Sequence, residues 1–334
     1  MLRVYYPVDP PSDPLQEEYA AWELLRARLD PQIELTTGTR LPFPAEYQIL
    51  VSGRPTADQL DASPVLHTLL IPWAGLSVPT GELIQQYPHL AVHNLHYNAV
   101  TTAESAVMLL LMAAKLIVPV EQRFRQHDWR PRYLYPNPSV MLHGKTVLIL
   151  GYGSIGKQVG KICRAMGMRV IAIRRSLEVA ALDDPDAEVY PASHLHHLLP
   201  EANVLVITLP LTEDTRSLIG AAELELLPEN AILVNVGRGP IVEQAALYQA
   251  LKEGRLHSAG LDVWYRYPAD EESRANTPPA DFPFHELENV VMSPHRGGGS
   301  MEVDLLQMEH LAEMLNLAAK GQPLPNRVHP KRGY

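Results

Sequence analysis

The chain has 334 residues, 46% of them apolar, enough for two domains with a core each. Lys and Arg total 28 against 38 Asp and Glu, a formal net charge of −10 that argues against nucleic acid or an anionic membrane surface as a general partner. A single cysteine, Cys163, excludes an internal disulfide and points to a reducing, cytoplasmic setting.

The start, Met1-Leu2-Arg3-Val4-Tyr5-Tyr6-Pro7, lacks the apolar run of a signal peptide and reads as a strand over 2–6. Apolar spacing predicts a helix from Tyr19 to Leu29, a strand from Gln48 to Val51 and a short helix from Thr56 to Leu60. A strand from His67 to Ile71, a helix from Gly81 to Gln86 and a strand from Leu90 to Asn94 follow. Strand–helix alternation implies a parallel sheet with helices on its faces. Ala106 to Val120 is the most apolar stretch, but Lys115 and Pro119 interrupt it, so it reads as a buried helix over Thr101–Val118. Thr101 or Thr102 is expected to cap that helix, with Glu104 in its first turn. Arg123 to His143, rich in Arg, Tyr and Pro, has no clear period and suits a surface excursion or a subunit contact.

A second alternating run begins at Lys145. The strand Thr146–Leu150 leads into Gly151-Tyr152-Gly153-Ser154-Ile155-Gly156, a G-x-G-x-x-G spacing, and then into an amphipathic helix, Lys157–Met166. In such a loop the first glycine permits a tight turn, the second lets backbone approach a pyrophosphate, and the third lets helix and strand pack closely. The helix N-terminus adds free N–H groups and partial positive charge. Cys163, inside that helix, reads as a small buried apolar residue rather than a reactive thiol. The next strand, Arg169 to Ile173, ends in Arg174-Arg175-Ser176. A site selective for NAD(H) carries an acid there for the ribose hydroxyls. Two guanidinium groups and a hydroxyl suit a 2′-phosphate instead, so NADP(H) is favoured, with NAD(H) as the alternative. Further strands are expected at Val204–Ile207, Ala231–Val234 and Val290–Met292, and a last helix at Met301–Ala319. His194, His196 and His197 lack Cys or carboxylate companions at ligand spacing, so no metal site is expected. Residues 268–284 are the most loop-like stretch.

Several separated stretches share one further property: Asn98 with Ala103-Glu104; Leu142-His143-Gly144-Lys145-Thr146 before the glycine loop; Leu209-Pro210-Leu211-Thr212 with Thr215; Asn235-Val236-Gly237-Arg238-Gly239; Gly260-Leu261-Asp262-Val263; and Ser293-Pro294-His295. In this order and spacing the chain resembles the D-2-hydroxyacid dehydrogenase superfamily, which includes formate dehydrogenases and glyoxylate/hydroxypyruvate reductases. The resemblance implies two Rossmann-like, doubly wound α/β domains with an active-site cleft between them. Residues 1–100 and 300–334 would form a flavodoxin-like substrate domain, and 101–299 the dinucleotide-binding domain. The helices near 101–118 and at the C-terminus would cross between them, and domain closure would exclude water. A homodimer joined through the cofactor domains is implied, with a small 2-oxo or 2-hydroxy acid as substrate.

The resemblance also distributes roles. Arg238 would clamp the substrate carboxylate through two parallel hydrogen bonds. The backbone amides of Ala74 and Gly75 would give a second anchor, with Ser52, Gly53, Trp73 and Asn98 on the substrate side. His295 would protonate the carbonyl oxygen in reduction and take the hydroxyl proton in oxidation. Gly151 to Gly156, Arg174, Arg175, Ser176, Leu209, Pro210, Thr215, Val236 and Gly297 would contact the dinucleotide, and Asp262 would support its carboxamide. One position departs: where the family commonly pairs a glutamate with the histidine, just before Pro268, this chain has Tyr267. A tyrosine offers at most a hydrogen bond, so His295 is expected to titrate near its ordinary value of about 6.5. These features favour NADPH-dependent reduction of a small 2-oxo acid to the D-2-hydroxy acid. A formate-type dehydrogenase needing no proton transfer, or a low-turnover dinucleotide-binding regulator like the related transcriptional corepressors, are the alternatives.

Overall fold

The computed structural model describes residues 1–16, 18–175 and 184–329. The chain divides into two units, one formed by Met1–Asn98 with Gly299–Tyr334 and the other by Ala99–Gly298.

In the first unit five strands form one parallel sheet: β1 (Leu2–Tyr6), β2 (Ile33–Thr37), β3 (Ile49–Val51), β4 (Thr68–Ile71) and β5 (Ala91–Asn94), in the order β2-β1-β3-β4-β5. This is the flavodoxin-like order, reversing between β1 and β3. The central strands are apolar without alternation because both faces are covered. Ile49, Val51 and Leu70 pack with Trp22, Leu25, Leu311 and Leu315 on one face. Leu50, Leu69 and Ile71 pack with Leu60, Leu66 and Ile84 on the other. Each such fully buried side chain contributes about 1.5–3 kcal/mol of hydrophobic stabilisation. The helix Val303–Ala319 returns to this unit and packs on Tyr19–Arg28. β2, an edge strand alternating half-buried and exposed residues, was not anticipated. Thr56, expected as the first residue of a short helix, instead caps the helix Ala57–Asp61 through a reciprocal capping box with Gln59.

The second unit holds seven parallel strands: β6 (Thr146–Leu150), β7 (Arg169–Arg174), β8 (Glu188–Pro191), β9 (Val204–Ile207), β10 (Ala231–Asn235), β11 (Leu256–Leu261) and β12 (Val290–Met292). Their order is β12-β11-β10-β9-β6-β7-β8, the Rossmann arrangement, with the reversal between β6 and β9. The fold class is therefore as expected: two doubly wound α/β units.

The long helix differs from expectation. It runs Ala99–Lys115, stops at Leu116, which has φ 47°, and a separate helix Ile117–Phe124 leaves at 69°. Pro119 explains the break, since it has no N–H for the Lys115 carbonyl and its ring would clash there. Because the helix begins at Ala99, Thr101 and Thr102 lie inside its first turns and do not cap it, and Glu104 falls beyond the first turn. Among the described residues no single helix is long and apolar enough to cross a membrane. Cys163 is fully buried, and burial pushes its thiol up to about 12, so it stays a protonated core residue. His194, His196 and His197 are exposed around the short helix Leu195–Leu198, and His196 pairs with Glu223 at 2.9 Å.

Candidate active site

The sheet reversal of the second unit places the loops leaving β6 and β9 side by side. Gly151, the first fingerprint glycine, has φ 99°, and a Cβ there would lie 3.1 Å from the Leu209 nitrogen. At Gly156 a Cβ would come 2.2 Å from the Gly151 carbonyl oxygen, which also accepts the Thr208 hydroxyl at 2.6 Å. These two glycines are therefore required by the protein's own packing. Gly153 is different: a Cβ there would meet nothing within 4 Å. It caps the helix Ser154–Ala165 without any side-chain hydrogen bond. Open space in front of helix N–H groups fits a pyrophosphate, and Gly151 to Gly156 are the residues that would hold it.

Tyr152 faces inward. Its ring is buried in the core, and its hydroxyl donates to Asp184 at 3.1 Å. What Tyr152 can offer a dinucleotide is backbone, not side chain. Burial and the Asp184 carboxylate raise its hydroxyl pKa well above the usual phenol range. Arg174 ends β7 half-buried and Arg175 is exposed; Ser176 lies outside the described residues.

After β9, Thr215 ties its loop together: its hydroxyl donates to the Pro210 carbonyl at 2.7 Å and accepts the Thr212 N–H at 2.8 Å. After β10, buried Val236 leads into the Arg238 turn, which Asn235 shapes by accepting the Gly237 N–H and donating to the Arg238 carbonyl, both at 3.0 Å. A Cβ at Gly237 would fall 2.5 Å from the Leu209 carbonyl oxygen, so the β9 and β10 loops touch. The Arg238 side chain is half-buried and gives one of its five donors to the Gly237 carbonyl at 2.7 Å.

After β12 comes the turn that carries His295. Asp262, at the end of β11, is almost wholly buried. One of its carboxylate oxygens accepts the Ser293 hydroxyl at 2.6 Å and the Arg296 N–H at 3.0 Å, and the other accepts the Gly297 N–H at 3.0 Å. Trp264 adds an indole N–H to the Ser293 carbonyl at 2.8 Å. This scaffold fixes His295 at φ 55°, a left-handed conformation that a non-glycine residue adopts at a cost. Asp262 thus positions the histidine turn in addition to any role toward a cofactor.

The Tyr267 hydroxyl lies 2.8 Å from His295 Nδ1 and accepts the Trp264 backbone N–H at 3.1 Å. The residue that departs from the family pattern is therefore the imidazole's direct partner. Burial, and next the Arg238 guanidinium, hold the His295 pKa below its ordinary value, with Asp262 opposing. The expectation of an unshifted imidazole is corrected: a partly desolvated ring facing a cation, with no carboxylate on Nδ1, resists taking on charge. Arg238 and His295 accordingly stand within electrostatic reach of each other.

In the first unit the loops after β3 and β4 meet. Trp73 covers Gly53, where a Cβ would lie 1.8 Å from the indole. Ser52 is buried, and its N–H bonds the Leu70 carbonyl at 2.9 Å. Asn94 donates to the Ala74 carbonyl at 2.6 Å and Gln307 to the Pro72 carbonyl at 2.5 Å, which fixes the 72–75 turn. Among the described residues neither the Ala74 nor the Gly75 N–H has a backbone acceptor. Asn98, half-buried, ends this part of the unit. Sequence reasoning missed Asn235, Trp264 and Ser293 as supports, because their partners are set by the tertiary fold rather than by any local spacing.

Similarity to known proteins agrees with this geometry. The family model described as "D-isomer specific 2-hydroxyacid dehydrogenase, NAD binding domain" matches residues 107–297. A glyoxylate reductase of Aeropyrum pernix is 38% identical over 232 residues, covering 68% of this chain and 66% of that protein. The aligned part thus spans just under two thirds of that relative. A D-isomer specific 2-hydroxyacid dehydrogenase from Xanthobacter autotrophicus, solved with NADPH and MES, superposes with a TM-score of 0.77 at 23% identity, covering 100% of this chain and 99% of the other. An NADPH-dependent glyoxylate/hydroxypyruvate reductase from Sinorhizobium meliloti, solved with NADP and sulfate, gives 0.74 at 24% identity and full coverage of both chains. At these identities the superpositions establish the fold. The glycine loop at the sheet reversal and the family match over more than half the chain lead to one conclusion: this chain belongs to the D-isomer specific 2-hydroxyacid dehydrogenase family.

Proposed function

We propose that the protein reduces a small 2-oxo acid to the D-2-hydroxy acid with NADPH. The observation that carries this reading is the hydrogen-bonded turn that presents His295 after β12, with Asp262 and Tyr267 as its partners, while Arg238 leaves β10 of the same sheet within electrostatic reach of the ring. Arg238 holds the substrate carboxylate and, as a cation beside the reacting carbon, favours negative charge growing on the carbonyl oxygen. His295, charged at Nε2, hands that oxygen its proton. The Ala74 and Gly75 N–H groups suit a carboxylate as well. When bound, the nicotinamide supplies the hydride. Arg174 and Arg175 at the end of β7 support NADPH over NADH.

The test is a panel of 2-oxo acids, including glyoxylate and hydroxypyruvate, assayed with NADPH and NADH from about pH 5.5 to 8, alongside formate oxidation. Reduction of an oxo acid with NADPH supports the reading. Formate oxidation, or tight cofactor binding without turnover, replaces it.

The second copy of the chain is proposed as a partner on separate grounds. Phe124, Trp129, Tyr133, Leu134, Tyr135 and Met141 are all exposed in one segment of the second unit. Apolar residues gathered in this way mark a contact surface. Sedimentation of the wild type and of Trp129→Asp with Tyr133→Asp tests it, with a dimer converting to monomer as the expected result.

A further inference from the structure

Among the described residues the hydroxyl of Tyr267 has two hydrogen-bond partners, and their chemistry bears on what it does. The Trp264 N–H can only donate, so it occupies an oxygen lone pair at 3.1 Å. The remaining neighbour, His295 Nδ1 at 2.8 Å, can either accept the phenolic proton or donate to the oxygen. A carboxylate at this position could only accept, so it would require hydrogen on Nδ1 and would favour the doubly protonated ring. The phenol imposes the opposite preference on the neutral ring.

We propose that Tyr267 is a positioning residue that donates its hydroxyl hydrogen to Nδ1 of His295, keeping the neutral imidazole in the tautomer with hydrogen on Nε2. This rests on the reading of His295 as proton donor. Protonation of that ring then requires the phenol to give up its donated hydrogen bond and turn its hydrogen away. The charged groups acting on the ring are Arg238, which opposes protonation, and Asp262, which favours it. Partial desolvation of the ring opposes it most. The phenol's hydrogen bond to Nδ1 acts in the same direction, so the competent imidazolium forms at lower pH than for an ordinary histidine. A glutamate at the same place would lift that restriction.

Two readouts test this. The first is the 15N chemical shifts of the His295 ring, observed in the holoenzyme at alkaline pH. The second is the pH dependence of kcat/KM for 2-oxo acid reduction. Wild type is expected to show hydrogen on Nε2 and an activity limb falling at a pH below the ordinary histidine value. Tyr267→Glu should move the hydrogen to Nδ1 and shift the limb upward by at least about one pH unit, a tenfold gain in kcat/KM on the alkaline side. Tyr267→Phe should mix the tautomers and shift the limb upward by less. Hydrogen on Nδ1 in the wild type, or a limb unmoved by Tyr267→Glu, overturns the inference. A wild type that reduces no 2-oxo acid overturns the proton-donor reading instead, and the nitrogen shifts still decide the tautomer.

Discussion

Asp262 and Gly297 are locked to each other: the carboxylate accepts the Gly297 N–H at 3.0 Å, and any Cβ on Gly297 would stand 2.7 Å from that same oxygen. The contact closes the turn that holds His295 in its left-handed conformation. Gly297→Ala should push the turn off the carboxylate while leaving both cores intact. A fall of about 10- to 100-fold in kcat/KM is expected, larger than any loss of NADPH affinity. Steady-state kinetics with fluorescence titration of NADPH checks it, and unchanged kcat/KM would remove Asp262 as the support of the histidine.

Arg238 tests the substrate clamp. Arg238→Ala should lower kcat/KM for the oxo acid by about 100- to 1000-fold, since it removes a charge-assisted pair at the reacting group. Arg238→Lys should recover only part of this, because an ammonium cannot form two parallel bonds. Dinucleotide affinity should stay near wild type in both. A loss of NADPH binding equal to the loss in kcat/KM would place Arg238 on the cofactor instead.

Coenzyme choice turns on the end of β7. The Arg174→Ala, Arg175→Ala double variant should raise the KM for NADPH by about 10- to 100-fold, the cost of charge-assisted bonds to a phosphate. The KM for NADH should change little. An equal effect on both coenzymes would end the assignment.

Stability should fall in mild acid through buried histidines. Burial lowers the pKa of His257, whose buried Nε2 has no hydrogen-bond partner among the described residues, and of His93, whose Nδ1 meets the Pro325 carbonyl at 2.7 Å. The unfolded chain titrates near 6.5. Between that value and the lower folded values, the unfolded state binds more protons, so stability rises with pH and is lost as pH falls. The Tm should drop between about pH 7.5 and 5, and His257→Leu should reduce the drop. Scanning calorimetry at both pH values decides it, a pH-independent Tm being the contrary result.

Much of this molecule can be read before it folds. Continuous apolar runs such as Thr146–Leu150 and Val204–Ile207 are strands because covered parallel sheets need apolar residues on both faces. The glycine spacing after Leu150 states a backbone requirement that short-range sterics enforce, so its meaning is local. Arg238, His295 and Tyr267 are singled out by the family resemblance rather than by local pattern, as is the change from glutamate to tyrosine. The edge strands β2 and β8 escaped notice because half-exposed strands carry a weak apolar signal. The sequence places the helix end at Val118, just before Pro119, but the break falls at Leu116, because the proline lacks the N–H that the Lys115 carbonyl four residues earlier would need.

What only tertiary structure decided is how strongly these side chains act on one another. The spacing of Tyr267 and His295, 28 positions apart, says nothing about a 2.8 Å contact at Nδ1. Likewise, no local pattern announces that Asp262 holds Ser293, Arg296 and Gly297 together. Nor does one reveal that partial desolvation and the Arg238 charge lower the His295 pKa. Backbone conformation and burial pattern follow from neighbours along the chain, whereas proton affinity follows from neighbours through space, and a parallel sheet sets those by the order of its strands.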